Sequence, residues 1–328
     1  MYFKGVNPVK AFIKDPQFAW EYFFNWGIRV SYSKITGNTI RSKHYAGREV
    51  LSSERGNKLL TQAIVEGKPY MAGRFGNVEL GFIIEALLKQ KDLLKELRDK
   101  HTKEKCINCG FFPPTHIMFL KFKNEMLQSI QQCDLMCVWY NIMEDYLIKK
   151  YLSNESILTH RNIFDFWQFD VPFTYALKGK KVLVVSPFDT LIKNQYSKRE
   201  LLFSNSYVLP AFDLTTIKAV QTSGGATDDR FSDWFEALDY MYNEAMKLDF
   251  DIAILGCGAY GYPLAAKLKQ AGKIAIHMGG VTQILFGIKG ARWDVHPQAS
   301  KLYNEYWVRP TELDKPKNAD SVEDGCYW

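Results

Sequence analysis

The sequence predicts an α/β protein with a doubly wound, mostly parallel, Rossmann-like sheet. Short apolar runs such as residues 182–185, Val-Leu-Val-Val, have the length and β-branched content of strands that are buried on both faces. Segments with apolar residues at helical spacing alternate with these runs, and glycine-rich turns follow several of them. Alternating strands and helices are typical of a parallel sheet covered by helices on both faces.

The predicted elements follow in order from residue 51. We expect helices over residues 51–66, with Gly67 as the stop, and over 78–90, 228–247 and 261–270. We expect strands over residues 68–73, 134–140, 181–185, 251–255 and 273–277. Ligands of such sheets bind outside the carboxyl ends of the strands. The turns after Gly73, Val185 and Leu255 are therefore the places where chemistry is expected.

Composition narrows the class of protein. The 328 residues are 47% apolar and 24% charged, which is ordinary for a globular protein. The net charge of +6 is spread along the chain, which suits an anionic small ligand or an acidic membrane surface and lacks the basic clustering of a nucleic-acid binder. No apolar run reaches 18 residues and no signal-peptide pattern opens the chain, so we expect a cytoplasmic protein with reduced cysteines.

Three segments are expected. Residues 1–50 form an aromatic and basic N-terminal arm, residues 51–310 the Rossmann-like domain, and residues 311–328 an irregular tail. The arm has two interpretations. It is either a helix packed on the main domain, which we favour because its apolar residues are not confined to one face, or an amphipathic contact with anionic lipid at the inner face of the membrane. The charged stretch 89–105 is expected to be a solvated helix and loop.

The strongest of the three turns is Gly256-Cys257-Gly258-Ala259-Tyr260-Gly261. It has GxGxxG spacing between a strand and a helix, where glycines let the backbone approach a phosphate and the helix offers free N–H groups. A dinucleotide fold would place an acidic residue at the end of the next strand, but that strand ends Ile-His-Met-Gly-Gly. The turn therefore predicts a phosphate-bearing ligand other than a dinucleotide, or else close packing of helix on strand.

The second turn is Arg74-Phe75-Gly76-Asn77, followed by Glu79. An arginine can pair with a diphosphate, and Asn77 and Glu79 could share a magnesium or manganese ion with phosphate oxygens. The alternative is local, since Asn77 is a good N-cap and Glu79 lies in the first helical turn, where a carboxylate is favourable. Both interpretations can hold together.

Two further groups of residues are candidates. Ser186, Pro187 and Phe188 end the most apolar strand, and Lys198 and Arg199 follow, either as phosphate ligands or as solvated cations. His277 ends a strand beside Gly279 and Gly280, where it could act as a base or have a structural role.

Two segments together resemble a known family. Residues 68–79 are similar to the strand, turn and helix that carry the Asp-x-Glu motif in glycosyltransferases of the GT-D fold type. Residues 256–293, with Gly-Cys-Gly-Ala-Tyr-Gly, Ile-His-Met-Gly-Gly and Leu-Phe-Gly-Ile-Lys-Gly-Ala-Arg-Trp, resemble proteins encoded among bacterial surface-polysaccharide genes. The resemblance runs from about residue 50 to the end of the chain.

The resemblance implies a glycosyltransferase that moves a sugar from a nucleotide-sugar donor to a glycan or lipid-linked acceptor. Glu79 matches the second acid of the motif and would bind metal or donor, whereas Asn77 stands in place of Asp and is a weaker cation ligand. Glu79 and His277 are the alternative bases for the acceptor hydroxyl. The donor would be held by residues of the three turns and the His277 strand end: Arg74, Phe75, Gly76, Asn77, Ser186, Pro187, Phe188, Lys198, Arg199, Gly256, Cys257, Gly258, Tyr260, Gly279 and Gly280.

Two other functions stay open at the level of sequence. A methyltransferase that uses S-adenosylmethionine has a similar glycine-rich turn, although an acid usually closes its next strand. A non-catalytic nucleotide-sugar-binding protein is favoured only by Asn77 in place of Asp.

Overall fold

A sheet of nine strands forms the centre of the protein in a computed structural model, which describes residues 13, 15–37, 43–88, 106, 109–315, 325, 327 and 328. In chain order the strands are β1 His44–Tyr45, β2 Arg48–Leu51, β3 Tyr70–Gly73, β4 Leu135–Val138, β5 Ile157–His160, β6 Lys181–Ser186, β7 Asp213–Lys218, β8 Ile252–Leu255 and β9 Ile274–His277. Their spatial order is β1-β2-β5-β4-β3-β9-β8-β6-β7. Only the β1–β2 pair is antiparallel, so the predicted mostly parallel α/β sheet is confirmed.

Helices connect the strands and cover both faces. They are α1 Pro16–Ala19, α2 Trp26–Thr36, α3 Ser53–Glu66, α4 Asn77–Leu88, α5 His116–Gln131, α6 Glu144–Tyr151, α7 Asp189–Tyr196, α8 Arg199–Leu202, α9 Trp234–Met246, α10 Gly261–Gln270, α11 Val281–Leu285 and α12 Ala291–Asp294, with a π-helical turn Trp20–Asn25 between α1 and α2. None of the helices in the described ranges is long and apolar enough to cross a membrane.

Most predicted boundaries are close to the observed ones. Helix α3 ends at Gly67, which has a φ of 70°, and α10 covers the predicted residues. Helix α9 begins at Trp234, later than the predicted residue 228, because the Asp233 carboxylate caps it by accepting hydrogen bonds from the N–H groups of Phe235 and Glu236. The predicted charged stretch 89–105 lies outside the described residues.

The pleat of the strands divides the interior into two cores. Met71, Met136 and Leu255 face one core, whereas the neighbouring Ala72 and Ile254 face the other. Such alternation is what a sheet buried on both faces requires. Helices α4, α5, α9 and α10 cover the first face, and α3, α7 and α11 cover the second.

The N-terminal arm is divided between two environments. The predicted boundary at residue 50 falls within β2, which pairs with β5 and belongs to the sheet. Phe18 packs edge-on against Tyr146 of α6, with ring centroids 5.2 Å apart, which agrees with the packed interpretation for this part of the arm. In α2, Ile28 and Ile35 are exposed. Residues 1–12, 14 and 38–42 of the arm, and 316–324 and 326 of the tail, lie outside the described residues.

Five cysteines fall within the described residues, and all are free thiols buried in the interior. The expectation of reduced cysteines is compatible with this arrangement and stays a prediction. The sixth, Cys326, lies outside the described residues.

One close contact of the fold can be tested directly. A Cβ on Gly56 of α3 would lie 2.2 Å from Thr159 Oγ1 and 2.8 Å from Ile163 Cγ2. We expect Gly56→Ala to reduce the free energy of unfolding by about 1–3 kcal/mol, the usual cost of overpacking. The control is Gly81→Ala in α4, where nothing lies within 4 Å of the added methyl group. There alanine should stabilise the helix by roughly 0.5–1 kcal/mol. Equal effects in urea titrations of the two variants would contradict this packing.

Candidate functional site

Strands β3 and β9 lie side by side at the centre of the candidate site. The helix after β3, α4, packs on one face of the sheet and the helix after β9, α11, packs on the other. Ligands of open α/β sheets bind at such a point, outside the carboxyl ends of the strands. Arg74 follows β3 at this edge, and Gly279 follows β9.

Arg74 lies directly against the backbone of Gly279. A Cβ at Gly279 would be 2.7 Å from Nη2 of Arg74, and the φ of +62° is one that residues with side chains rarely adopt. Glycine is therefore required here by both space and conformation. Gly279 makes room for the guanidinium group, and its predicted role in binding the donor stays a prediction.

Trp139, which follows β4, lies at the centre of a group of arginines that we call the arginine cluster. The guanidinium carbon of Arg74 lies 4.4 Å from the centroid of its ring, and that of Arg161, which follows β5, lies 4.9 Å away. Both distances are within the range of cation–π attraction. The adjacent strands β3, β4 and β5 thus place two arginines over one indole ring at the same edge of the sheet.

A third arginine reaches the cluster from the C-terminal part of the chain. Arg292 lies 4.7 Å from the ring of Tyr327 and donates a hydrogen bond from Nη1 to the tyrosine hydroxyl at 3.2 Å. Tyr327 in turn lies against Gly280, where a Cβ would be 3.0 Å from its ring. Gly280 therefore allows the close approach of the tyrosine.

The three arginines interact electrostatically. Burial lowers the pKa of Arg74, and the positive charges of Arg161 and Arg292 add to this effect, while Tyr327 and Glu79 oppose it. Burial raises the pKa of the nearby Asp165 carboxyl, and the opposing pull comes from Arg161, His296 and Arg74. Among the described residues, three guanidinium groups act on one another here, and an anion bound between them would relieve their repulsion.

Glu79 turns back over the start of α4. Its Oε2 atom lies 1.8 Å from the position that a Cβ of Gly76 would take, so a side chain at Gly76 would displace the Glu79 carboxylate. This is the posture of the third residue in a capping box, with the carboxylate directed to the helix N-terminus. Asn77, predicted as a metal ligand, is exposed on the first turn, and the predicted donor-binding residue Phe75 stacks on Tyr262 in the core.

Cation ligands are sparse around Glu79. Within the ranges described above, no three His, Cys, Asp or Glu side chains gather at a distance suited to a metal ion. Glu79 and Asn77 would give two oxygen ligands. Magnesium sites commonly complete such a set with phosphate oxygens and water.

The glycine-rich turn after β8 packs closely against its neighbours. Gly256 lies against Thr282, and Cys257 is buried, which raises the pKa of its thiol to about 12. The Tyr260 ring stacks on Trp234 at 4.7 Å. Gly258, with a φ of +58°, is the exposed residue of the turn. Close packing of helix on strand, one of the two interpretations of this turn, thus accounts for most of its residues.

His277 is enclosed beneath the same turn. It is 6% exposed, and a Cβ on Gly261 would lie 2.2 Å from its Nδ1 atom. Burial and the charge of Arg74 lower its pKa to about 3, so the imidazole is neutral at neutral pH. Its position in the interior keeps it away from an acceptor that enters from solvent.

The third predicted group is split between the two edges of the sheet. Ser186 Oγ accepts a hydrogen bond from the Phe188 N–H at 3.2 Å, so it shapes the turn after β6 at the carboxyl edge, and Pro187 lies between them. Helix α7 then leads away from this edge. Arg199 lies 5.6 Å from the ring of Tyr196, whose hydroxyl donates to the Phe212 carbonyl just before β7 begins. Arg199 and the adjacent Lys198 are therefore at the amino edge, away from the arginine cluster.

A buried carboxylate shapes the loop that carries Trp139. The Glu144 side chain accepts hydrogen bonds from the backbone N–H groups of Trp139 at 3.1–3.2 Å and of Asn141 at 3.2 Å. The hydroxyl of Tyr45 lies 3.4 Å from Glu144 Oε2. Positive φ angles at Tyr140 and Met143, 59° and 63°, bend the chain around this carboxylate. Glu144 thus holds the indole in place from below.

No protein-family model matches the chain, and no curated protein does. Two solved structures are similar to it. One is described by the statement that the highly conserved domain of unknown function 1792 has a distinct glycosyltransferase fold, and the other as a selenomethionine-substituted structure of the same domain. Each similarity has 12% sequence identity and a TM-score of 0.43, and covers 82% of this chain and 93% of the other.

The role of Glu144 predicts a pH dependence of stability. Burial raises the pKa of its carboxyl from 4.5 to about 7, against the opposing effect of the backbone N–H groups. A carboxyl whose pKa is raised on folding binds its proton more tightly in the folded state, so the free energy of unfolding falls as the pH rises from about 4.5 to about 7. The glutamine of Glu144→Gln does not titrate, so this variant lacks the pH-dependent contribution.

We therefore expect the melting temperature of the wild type, relative to that of Glu144→Gln, to decrease across this pH range. Differential scanning fluorimetry at half-unit pH steps measures it. A difference that stays constant between pH 4.5 and 7.5 would show that Glu144 does not titrate as described.

Proposed function

We propose that the protein is a glycosyltransferase that binds a nucleoside diphosphate sugar through Arg74, Arg161 and Arg292. The supporting observation is the convergence of three guanidinium groups at the carboxyl edge of the sheet, two of them over the Trp139 ring. Arginine presents a planar fork of donors that matches phosphate oxygens, and a diphosphate offers several such oxygens. The sequence resemblance of residues 68–79 to GT-D glycosyltransferases supports sugar transfer as the reaction.

The chemistry of sugar transfer matches this set of charges. As the bond between the anomeric carbon and the diphosphate breaks, the electron pair stays on the leaving phosphate oxygen, which becomes more negative. Fixed cations at that oxygen stabilise the transition state, and single strong donors at other oxyanion sites contribute about 2.7–4 kcal/mol. Arg74 is partly buried before any ligand arrives, so part of the cost of its desolvation is already met in the fold.

The arginines can supply the charge compensation that a divalent cation provides in other transferases. The three guanidinium charges act on one another in the absence of an ion, and Glu79 is directed toward the start of α4. We therefore propose that a nucleoside diphosphate binds in the absence of a metal. S-adenosylmethionine is disfavoured as the ligand, since its sulfonium carries a positive charge that would face three guanidinium groups.

Nucleoside diphosphates should raise the melting temperature, and Arg74→Ala should weaken their binding. Hydrogen bonds to charged groups contribute about 1.5–3 kcal/mol, so we expect a loss of affinity of roughly ten- to a hundredfold. Arg74→Lys should restore part of it, because lysine keeps the charge and loses the fork. Titration calorimetry with UDP, ADP and GDP in the presence of EDTA measures these values.

The matched control is Arg199→Ala at the opposite edge, which should bind the same nucleotides as tightly as the wild type. Equal losses in Arg74→Ala and Arg199→Ala, or a melting temperature raised by S-adenosylmethionine and by no nucleotide, would overturn the proposal. Binding of nucleotide sugars without transfer to any acceptor would identify a non-catalytic binding protein.

A further inference from the structure

A cavity lies beside the arginine cluster, at the same edge of the sheet. It has a volume of about 470 Å³, within the ~300–1,000 Å³ usual for small-molecule sites. Its walls come from the carboxyl ends of β2 and β5 and from the first turn of α3. Six of the residues that line it are Lys43, Glu49, Ser52, Ser53, Glu54 and His160.

The fold brings these walls together by ordinary sheet geometry. Strand β2 pairs in parallel with β5, so residue 52 and His160 leave the sheet at the same edge. The backbone N–H of Val50 donates to the Lys43 carbonyl at 2.8 Å, which holds Lys43 at that edge as well. Helix α3 is pressed onto β5 at Gly56 and begins at the cavity.

Most of the lining residues are polar or charged, but most of the surface that they and Val50 expose to the cavity consists of carbon atoms. Their charges are balanced, unlike those of the arginine cluster. Arg55, at the rim, is paired with Glu49 at 3.0 Å. Lys43 and Glu54 then contribute one charge of each sign. The hydroxyls of Ser52 and Ser53 add neutral donors and acceptors. Such a surface suits a neutral ligand that has both C–H faces and hydroxyl groups better than it suits an anion.

The cavity is joined to the arginine cluster through consecutive residues. His160 lines the cavity, and the next residue, Arg161, lies over Trp139. The His160 ring is 5.6 Å from that of Tyr140, which follows Trp139 in the chain. A ligand in the cavity and a diphosphate on the arginines would therefore be neighbours, with the His160 side chain beside both.

His160 has an acidic neighbour in the cavity wall. Hydrogen bonds from its own backbone N–H and from Ser52 lower the pKa of Glu54, and the charge of His160 adds to this. Both side chains line the cavity, and a carboxylate there can stabilise the positive charge that an imidazole gains when it takes a proton.

We propose that this cavity is the acceptor site, that it binds a neutral sugar of the acceptor glycan, and that His160 accepts the proton of the attacking hydroxyl. This rests on the proposed glycosyltransferase function. The acceptor oxygen forms a bond to the anomeric carbon of the donor, and the bond from that carbon to the diphosphate oxygen breaks. The diphosphate leaves with the electron pair toward Arg74 and Arg161, and the hydroxyl proton moves to an imidazole nitrogen of His160.

The binding step is tested by saturation-transfer NMR with the methyl α- and β-glycosides of glucose, galactose and N-acetylglucosamine. We expect at least one to receive saturation from the wild type. Ser53→Phe, which fills the cavity, should abolish the signal, and Ser53→Ala should keep it. Arg74→Ala should also keep it. Absence of signal from all six glycosides, or an equal signal from Ser53→Phe, would overturn the acceptor site.

The catalytic step is tested with His160→Gln, which keeps the size and polarity of the side chain but cannot take the proton. With the methyl glycoside and the nucleotide sugar that bind best, kcat should fall by about 100-fold or more, a typical contribution of a general base. The KM values should change little, and the limb of the pH–rate profile that rises with pH should disappear. An unchanged kcat or an unchanged pH profile would rule out His160 as the base.

Failure of this inference can be told apart from failure of the proposed function. Binding of UDP, ADP or GDP by calorimetry depends on Arg74 alone of the residues varied and should be intact in Ser53→Phe and His160→Gln. Nucleotide binding without glycoside binding in the cavity rejects the acceptor site only. Absence of nucleotide binding in the wild type rejects the proposed function itself.

Discussion

The contact between the partly buried guanidinium group of Arg74 and the indole of Trp139 is the interaction on which the candidate site depends. A buried cation is costly unless its surroundings compensate it. Here the aromatic ring at 4.4 Å and the partial opposition of Tyr327 and Glu79 provide that compensation. Gly279 provides the space. The strand order β5-β4-β3-β9 brings four residues to one edge of the sheet: Arg161, Trp139, Arg74 and Gly279.

The indole is itself held in place by a second layer of the structure. Glu144 gathers the N–H groups of the loop after β4 and is approached by Tyr45 from β1. Glu144 thus fixes the loop that carries Trp139, and Trp139 in turn contacts the arginines of the cluster. Such preorganisation lowers the cost of fixing the donors when a ligand binds. The neighbouring neutral cavity needs no such arrangement, since hydroxyls and paired charges are stable in water.

The fold class and the turn that carries Arg74 could be predicted from the sequence. Strands β8 and β9 and helix α10 were predicted near their true bounds because their apolar runs are bounded by glycine and aspartate. Strand β5, Ile-Leu-Thr-His, and β7, Asp-Leu-Thr-Thr-Ile-Lys, were missed because neither has a continuous apolar run. The turn with Arg74 was found. The sequence did not predict the other members of the cluster, Arg161, Arg292 and Tyr327. Only the strand order and the path of the C-terminal segment bring them close to Arg74, and the periodicity of a sequence contains no information on either.

The most direct test of the central claim is a crystal structure of the protein with UDP bound. We predict that diphosphate oxygens lie within ordinary hydrogen-bond distance, about 2.7–3.2 Å, of the guanidinium nitrogens of Arg74 and Arg161. A diphosphate bound elsewhere, at the turn around Gly258 or beside Arg199, with Arg74 in contact only with protein atoms, would contradict the account.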